Sequence, residues 1–118
     1  MSYIDGFLVP VPKAAKDQYR ELAELSATVF KDHGALQVVE AWADDVPEGK
    51  LTSFPMAVKC TEDEVVVFSY VVWPSREARD AGMAKSMEDP RMQFVSESNV
   101  PFDGKRMIFG GFETIVDR

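Results

Sequence analysis

The stretch 64-EVVVFSYVVW-73 decides the fold, because it is the strongest strand signal in the chain. Successive side chains of a strand point to opposite faces of its sheet. One face then carries Val65, Val67, Ser69, Val71 and Trp73, and the other carries Val66, Phe68, Tyr70 and Val72. Both faces are apolar, which is typical of a strand inside a sheet that is covered on both sides.

Three further strands are predicted, at 3–9, 35–43 and 105–116. The segment 54–60, "FPMAVKC", is interpreted as a short extended piece. Proline cannot donate a ladder hydrogen bond, so Pro55 confines that piece to a sheet edge at best.

Helices are predicted between the strands. The first covers 13–33, where Tyr19 and Val29 fall on one apolar stripe, and Gly34 ends it. Ser75 is a predicted N-cap for a second helix, which runs to about 87. Asp89 and Pro90 then begin a shorter helix, closed by Pro101.

The order strand, helix, strand, strand, helix, strand predicts an α+β, ferredoxin-like βαββαβ fold with a four-stranded antiparallel sheet. Its spatial strand order is 4-1-3-2, so the first and last strands are neighbours. The length of 118 residues suits a single domain over 1–118.

Helices can cover only one face of such a sheet, yet the third strand is apolar on both. We expect a second copy of the sheet to cover the other face, forming a dimeric α/β barrel. The alternative is that the loop 44–64 folds over it. An exposed face with half a dozen large apolar side chains would be prone to aggregation.

Composition excludes some partners. The formal net charge is −7, which argues against nucleic acid and anionic membrane surfaces, because both attract Lys and Arg. The longest charge-free run in the middle of the chain is too short to cross a membrane. The N-terminal "YIDGFLV" is too short and polar for a signal peptide. A cytoplasmic protein is therefore expected.

No metal or cofactor is expected. His33 is the only histidine and Cys60 the only cysteine, and their separation gives no metal-ligand spacing. His33 falls at the end of the first predicted helix, where a cation interacts well with the helix dipole. The chain lacks a phosphate-binding loop, a dinucleotide fingerprint and a nucleophile elbow.

Charged residues inside apolar strands are the main candidates for a site. Asp5, Glu40, Arg106 and Glu113 interrupt predicted strands. Asp5 could pair with Arg106 or Lys105 across neighbouring strands, in a structural role. Alternatively, Asp5 is a catalytic base in a pocket, with Tyr70 as donor and Arg106 as anion anchor.

Adjacent glycines in the last strand raise a related question, because glycine weakens a strand interior. Gly110 and Gly111 point to opposite faces, and missing side chains on central strands leave a hollow. Close packing is one explanation. The other is a pocket floor, lined by Phe7, Phe68, Gly110, Gly111 and Phe112.

Several motifs carry a resemblance to a known family. They are "DGFLVPVPK", "EAWADDVPEGK", "FPMAVKC", "VVFSYVVWPSREARD", "DPRM" and "PFDGKRMIFGGFE". With them the chain resembles the bacterial YbaA-like family, a domain-of-unknown-function family, over nearly its full length. The resemblance implies a ferredoxin-like fold of the dimeric α/β-barrel type and supplies no catalytic residues.

Two functions remain open at this stage. The chain is either a homodimeric α/β barrel of uncharacterised function that binds a small molecule between sheet and helices, or a cofactor-independent enzyme. The enzyme would be monooxygenase-like or isomerase-like and would act on a small apolar metabolite. Fold alone does not separate these two functions.

Overall fold

A computed structural model describes residues 1–97 and 100–118. The strands are β1 (Tyr3–Pro12), β2 (Gln37–Trp42), β3 (Glu64–Trp73) and β4 (Ile108–Glu113). The helices are α1 (Lys16–Asp32), α2 (Phe54–Ala57), α3 (Arg76–Glu88) and α4 (Pro90–Glu97), with one 3-10 turn at Lys13–Ala15. The predicted link from α4 to Pro101 contains Ser98 and Asn99, which lie outside the described residues.

The four strands form one antiparallel sheet in the order β2-β3-β1-β4. This confirms the predicted ferredoxin-like fold, including the central pairing of the first strand with the last. Gly6 of β1 lies opposite Tyr70 on one side and Gly110 on the other. The register therefore places two glycines side by side on one face of the sheet.

Helix boundaries follow the expected local signals. The Ser75 side chain accepts a hydrogen bond from the Ala78 backbone N–H at 3.0 Å, which confirms it as the N-cap of α3. His33 caps the C-terminus of α1, and Gly34 follows with a φ of 111°. That positive φ favours glycine at a helix end.

Two predictions about elements were wrong. The segment at 54–60 is not extended, because Ser53 caps the short helix α2 by accepting the Met56 N–H, with proline in its first turn. The last strand covers Ile108–Glu113 rather than 105–116. Arg106 consequently lies in the turn before β4.

The core lies between the sheet and the long helices. Buried Val9, Val11 and Val67 pack with Tyr19 of α1 in one cluster. A second cluster contains Ala35, Val71 and the fully buried Trp73. The inward residues of β3 are one of the two sets into which the alternation of its sequence divides the strand.

The opposite sheet face, here called the open face, is only partly covered. The Phe54 ring of α2 lies against Phe68, with ring centroids 6.0 Å apart, so the loop 44–64 covers one corner. Phe68, Ile108 and Phe112 remain 46%, 45% and 61% exposed.

Within the described part of the chain, no helix combines the length and apolar character needed to cross a membrane.

Candidate functional site

A groove of about 300 Å³ runs between α1 and the edge strand β2. Its walls come from one face of the helix and from the inward face of β2 and β3. The lining residues are Lys16, Tyr19, Arg20, Ala23, Glu24, Ala27, Val38, Glu40, Trp42 and Val67. The walls are mostly apolar with a few polar groups, the composition expected of a small-molecule site.

A hydrogen-bonded acid pair lies in the middle of this groove. The Tyr19 hydroxyl donates to Glu40 Oε1 at 2.6 Å. Tyr19 is buried, whereas Glu40 is accessible to solvent from the edge of the sheet. A short O–H···O contact to a carboxylate is strong and fixes both side chains. The pair therefore combines an ordered donor with an accessible carboxyl group.

The surroundings change the acidity of both groups. Burial raises the pKa of the Tyr19 phenol well above its usual range, and the charge of Glu40 adds to the rise. Desolvation of the Glu40 carboxyl by the groove around it also raises its pKa, although the residue as a whole is exposed at the sheet edge and the hydrogen bond from Tyr19 opposes the change. Tyr19 thus stays protonated near neutral pH, while the pKa of Glu40 shifts toward values suited to proton transfer.

Sequence reasoning did not identify this pair as a site. The sequence predicts Tyr19 on the apolar stripe of α1 and Glu40 as a charge inside a strand, and neither pattern indicates that they meet. One sequence feature does point to the pair: an acid on the inward face of an edge strand needs a partner from the helix above it.

Asp5 does not pair with Arg106 or Lys105, so that prediction was wrong. It faces the helices, where Trp73 Nε1 donates to its Oδ2 at 3.0 Å. Arg79 Nε of α3 lies 3.3 Å from Asp5 Oδ1, without the alignment of a hydrogen bond. Burial raises the pKa of the Asp5 carboxyl, and Arg79 and Trp73 offset part of that rise.

Arg106 lies in a separate cluster, made by the turn before β4, the start of β3 and the Lys59 backbone. Its guanidinium makes two contacts of 2.7 Å with the carboxylate of Glu64 and one of 3.0 Å with Asp103. It also donates to the Lys59 carbonyl at 2.8 Å. Hydrogen bonds from Arg106 lower the pKa of Glu64 to about 2. Through these hydrogen bonds Arg106 connects the turn before β4 to the start of β3.

Tyr70 is on the open face, with its ring 6.1 Å from that of Phe68. The structure therefore does not bring the three catalytic candidates together, because Asp5, Tyr70 and Arg106 occupy three different places.

The predicted pocket residues divide between two places. Phe7, Phe68, Gly110 and Phe112 line a hollow of about 290 Å³, together with Gly6, Leu8, Phe54, Ile108 and Phe109. Gly111 faces the helices instead, under Tyr3 and Arg79, and a β-carbon there would overlap both side chains. Gly110 and Gly6 lie beneath the Phe112 ring.

No group of three or more His, Cys, Asp or Glu side chains forms a metal site within residues 1–97 and 100–118. His33 Nε2 lies 2.9 Å from Asp89 Oδ2, which joins the end of α1 to the start of α4. Burial raises the pKa of the Cys60 thiol, and the charge of Glu64 adds to that effect. A raised pKa makes a thiol less reactive.

Solved structures share the fold at low sequence identity. A putative antibiotic biosynthesis monooxygenase from Nitrosomonas europaea matches with a TM-score of 0.61 and 8% identity, covering 97% of this chain and 90% of that one. SnoaB, a cofactor-independent oxygenase from Streptomyces nogalater, matches with a TM-score of 0.60 and 11% identity, covering 98% and 95%.

A third structure, a dimeric ferredoxin-like protein from an uncultured marine organism, matches with a TM-score of 0.56 and 10% identity over the whole of both chains. These likenesses concern the fold alone.

Closer relatives establish the family. Uncharacterized protein YbaA of Escherichia coli K12 is 59% identical over 117 residues, which is 99% of both chains, and the YbaA protein of Shigella flexneri matches equally well. The family model described as protein of unknown function (DUF1428) matches residues 2–104. The chain therefore belongs to the DUF1428 family, in agreement with the YbaA-like motifs in its sequence.

Proposed function

We propose that the protein is a homodimeric, cofactor-independent enzyme that moves a proton on a small, largely apolar metabolite bound in the groove between α1 and β2. The observation that carries this proposal is the 2.6 Å hydrogen bond between Tyr19 and Glu40 within an apolar groove. Asp5 and Arg106 take structural roles in this proposal.

The two side chains divide the chemistry between them. The Glu40 carboxylate accepts a proton from an acidic C–H bond beside a carbonyl group of the ligand, and a negative charge develops on the carbonyl oxygen. The Tyr19 hydroxyl, released from Glu40 once that carboxyl is neutral, donates to the enolate oxygen. In a ligand with a carbon–carbon double bond next to the carbon that lost the proton, return of the proton from Glu40 to the far end of the dienolate moves that double bond and completes an isomerisation. The environment favours a base whose pKa lies above its usual range.

The single chain 1–118 forms the whole domain in this proposal, and a second copy covers its open face. Three exposed apolar side chains of that face, Phe68, Ile108 and Phe112, support this arrangement. Isolated monomers rarely expose a contiguous patch of this kind. The dimeric state named for one structural neighbour adds support from the fold.

Oxygenation without a cofactor is a second candidate, favoured by the likeness to SnoaB. It begins with the same proton abstraction, because molecular oxygen then reacts with an electron-rich carbanion. Consumption of oxygen in step with substrate loss distinguishes it from isomerisation.

The role of Glu40 is tested by deuterium exchange in D₂O. Phenylacetone and 2-indanone serve as probes, since their C–H bonds next to the carbonyl are acidic. We expect the protein to accelerate deuterium incorporation, measured by proton NMR, and Glu40→Gln to reduce that acceleration by about a hundredfold or more. Tyr19→Phe should reduce it less, because the base remains.

Glu21→Gln is the matched control, because Glu21 is an exposed acid of the same helix that does not line the groove. It should leave the exchange rate unchanged. Exchange that persists in Glu40→Gln would contradict the assignment of the base, and an absence of acceleration with both probes would contradict proton transfer to ketones of this kind.

The dimer is tested by a charge on the open face. Phe112→Glu should convert the dimer to a monomer in light scattering, because the Phe112 ring is exposed in the single chain and would be buried between two sheets. The far-ultraviolet circular dichroism should not change. Leu51→Glu is the control, since Leu51 is fully exposed in the loop 44–64. A wild-type monomer at all concentrations would refute the dimer.

A further inference from the structure

The charged groups of the groove are unevenly placed along its length. Lys16 and Arg20 belong to the first two turns of α1, and Glu24 follows one turn later on the same helix face. The end of the groove near Trp42 is therefore cationic. The other end, near Ala27 and Val38, is apolar.

The two cations can turn toward a ligand. Arg20 pairs with Asp17 at 3.6 Å, but the two side chains are 59% and 92% exposed, so this ion pair contributes little and is easily exchanged. Lys16 Nζ lies 5.5 Å from the centre of the Trp42 ring. An ammonium group is thus already held over a flat aromatic wall.

The size and shape of the groove limit the ligand. A volume of about 300 Å³ is at the small end for ligand sites, and it accommodates one ring with short substituents. Ala23 and Ala27 present only methyl groups from the helix, which leaves space for a flat body beside Val38 and Val67.

We infer that the groove binds a small aromatic carboxylate, with its carboxylate between Lys16 and Arg20 and its ring extending past the edge of Trp42 toward Val38 and Val67. This rests on the proposed function and supplies its substrate class. The ring places its reactive substituent beside Glu40 and Tyr19, which lie between the cationic and the apolar end. The two acids of the groove, Glu24 and Glu40, make the remainder of the site unfavourable for a second anionic group.

Three probes of the same size test this inference: benzoate, neutral benzamide and cationic benzylammonium. The chain has two tryptophans, so an amide correlation NMR spectrum shows two indole N–H signals. Trp42 lines the groove, and Trp73 is fully buried and donates to Asp5. We expect benzoate to shift the Trp42 signal and to leave the Trp73 signal in place.

Two substitutions assign the anion site. Lys16→Gln should weaken benzoate binding about three- to fivefold, which is the effect of one exposed charge, and a double change with Arg20→Gln about tenfold. Added salt should weaken binding in the same direction. Lys13→Gln is the matched control, because Lys13 precedes α1 and lines a different cavity. It removes the same charge and should not change the affinity.

The outcomes separate this inference from the proposed function. Equal or tighter binding of benzamide or benzylammonium at Trp42 would overturn the carboxylate and leave the proton-transfer groove standing. The same loss of affinity in Lys13→Gln and Lys16→Gln would also overturn it, because the effect would then be one of overall charge. If none of the three probes shifts the Trp42 signal, both the aromatic carboxylate and the ring-sized groove are wrong.

Discussion

Replacing Asp5 by alanine is expected to lower the free energy of unfolding by about 3 kcal/mol, because the change leaves the mostly buried Arg79 guanidinium with only the exposed Asp80 as a carboxylate partner. The Asp5 side chain is 10% exposed and that of Arg79 is 23% exposed. The Trp73 indole N–H would lose its acceptor as well, and an orphaned buried donor adds to the cost. Chemical denaturation monitored by circular dichroism measures the loss.

Two further variants test how much of that loss comes from the ion pair between Asp5 and Arg79. The double change Asp5→Leu with Arg79→Leu should be less destabilising than Asp5→Ala, since removing both charges avoids an unpaired one. Asp80→Ala, which removes the exposed partner of Arg79, should cost no more than about 1 kcal/mol. A stably folded Asp5→Ala protein would show that the pair does not hold α3 to the sheet.

Replacing Gly82 by alanine should destabilise the protein by about 3 kcal/mol, although the change improves helix propensity. A β-carbon at Gly82 would overlap the Trp73 ring and lie 2.5 Å from the His33 carbonyl oxygen. Neither neighbour can move easily. Trp73 is fully buried and is fixed by its hydrogen bond to Asp5, and the carbonyl belongs to the backbone at the end of α1.

The sign of the effect is the test. Helix propensity alone predicts that Gly82→Ala stabilises α3 by about 1 kcal/mol. Close packing predicts a loss, visible as a lower melting temperature. Ala84→Gly serves as the control, because Ala84 is exposed on the same helix and its replacement should cost about 1 kcal/mol from propensity only. An increase in stability for Gly82→Ala would contradict the packing described for Trp73.

The sequence was sufficient to predict the fold, because its signals are local and periodic. The alternation in β3 predicted which residues share a face, and the Ser75 N-cap predicted the start of α3. The central pairing of β1 with β4 followed from topology rules alone. Where local signals conflict, prediction failed. The sequence around Pro55 indicates an edge strand, whereas Pro55 belongs to the first turn of α2.

The candidate site was harder to predict, because it depends on which side chains meet between elements. Asp5 had two plausible cations in a neighbouring strand, but its side chain points to the helices, where Arg79 of α3 meets it. The Tyr19–Glu40 contact depends on the position of α1 over the sheet edge. Residue spacing along the chain does not predict how far apart the Tyr19 hydroxyl and the Glu40 carboxyl lie.

The pairing of β1 with β4 also bears on how the chain folds. The first strand occupies the centre of the sheet, and one of its two neighbours is β4, the last of the four strands along the chain. Residues 2 and 114 meet there, where the Thr114 backbone N–H donates to the Ser2 carbonyl at 3.2 Å. Pairing of segments so distant in sequence closes a long loop, which slows folding relative to folds built from local contacts. Until β4 has left the ribosome, one edge of β1 has no partner strand, and within the sheet the nascent β1 can pair with β3 alone.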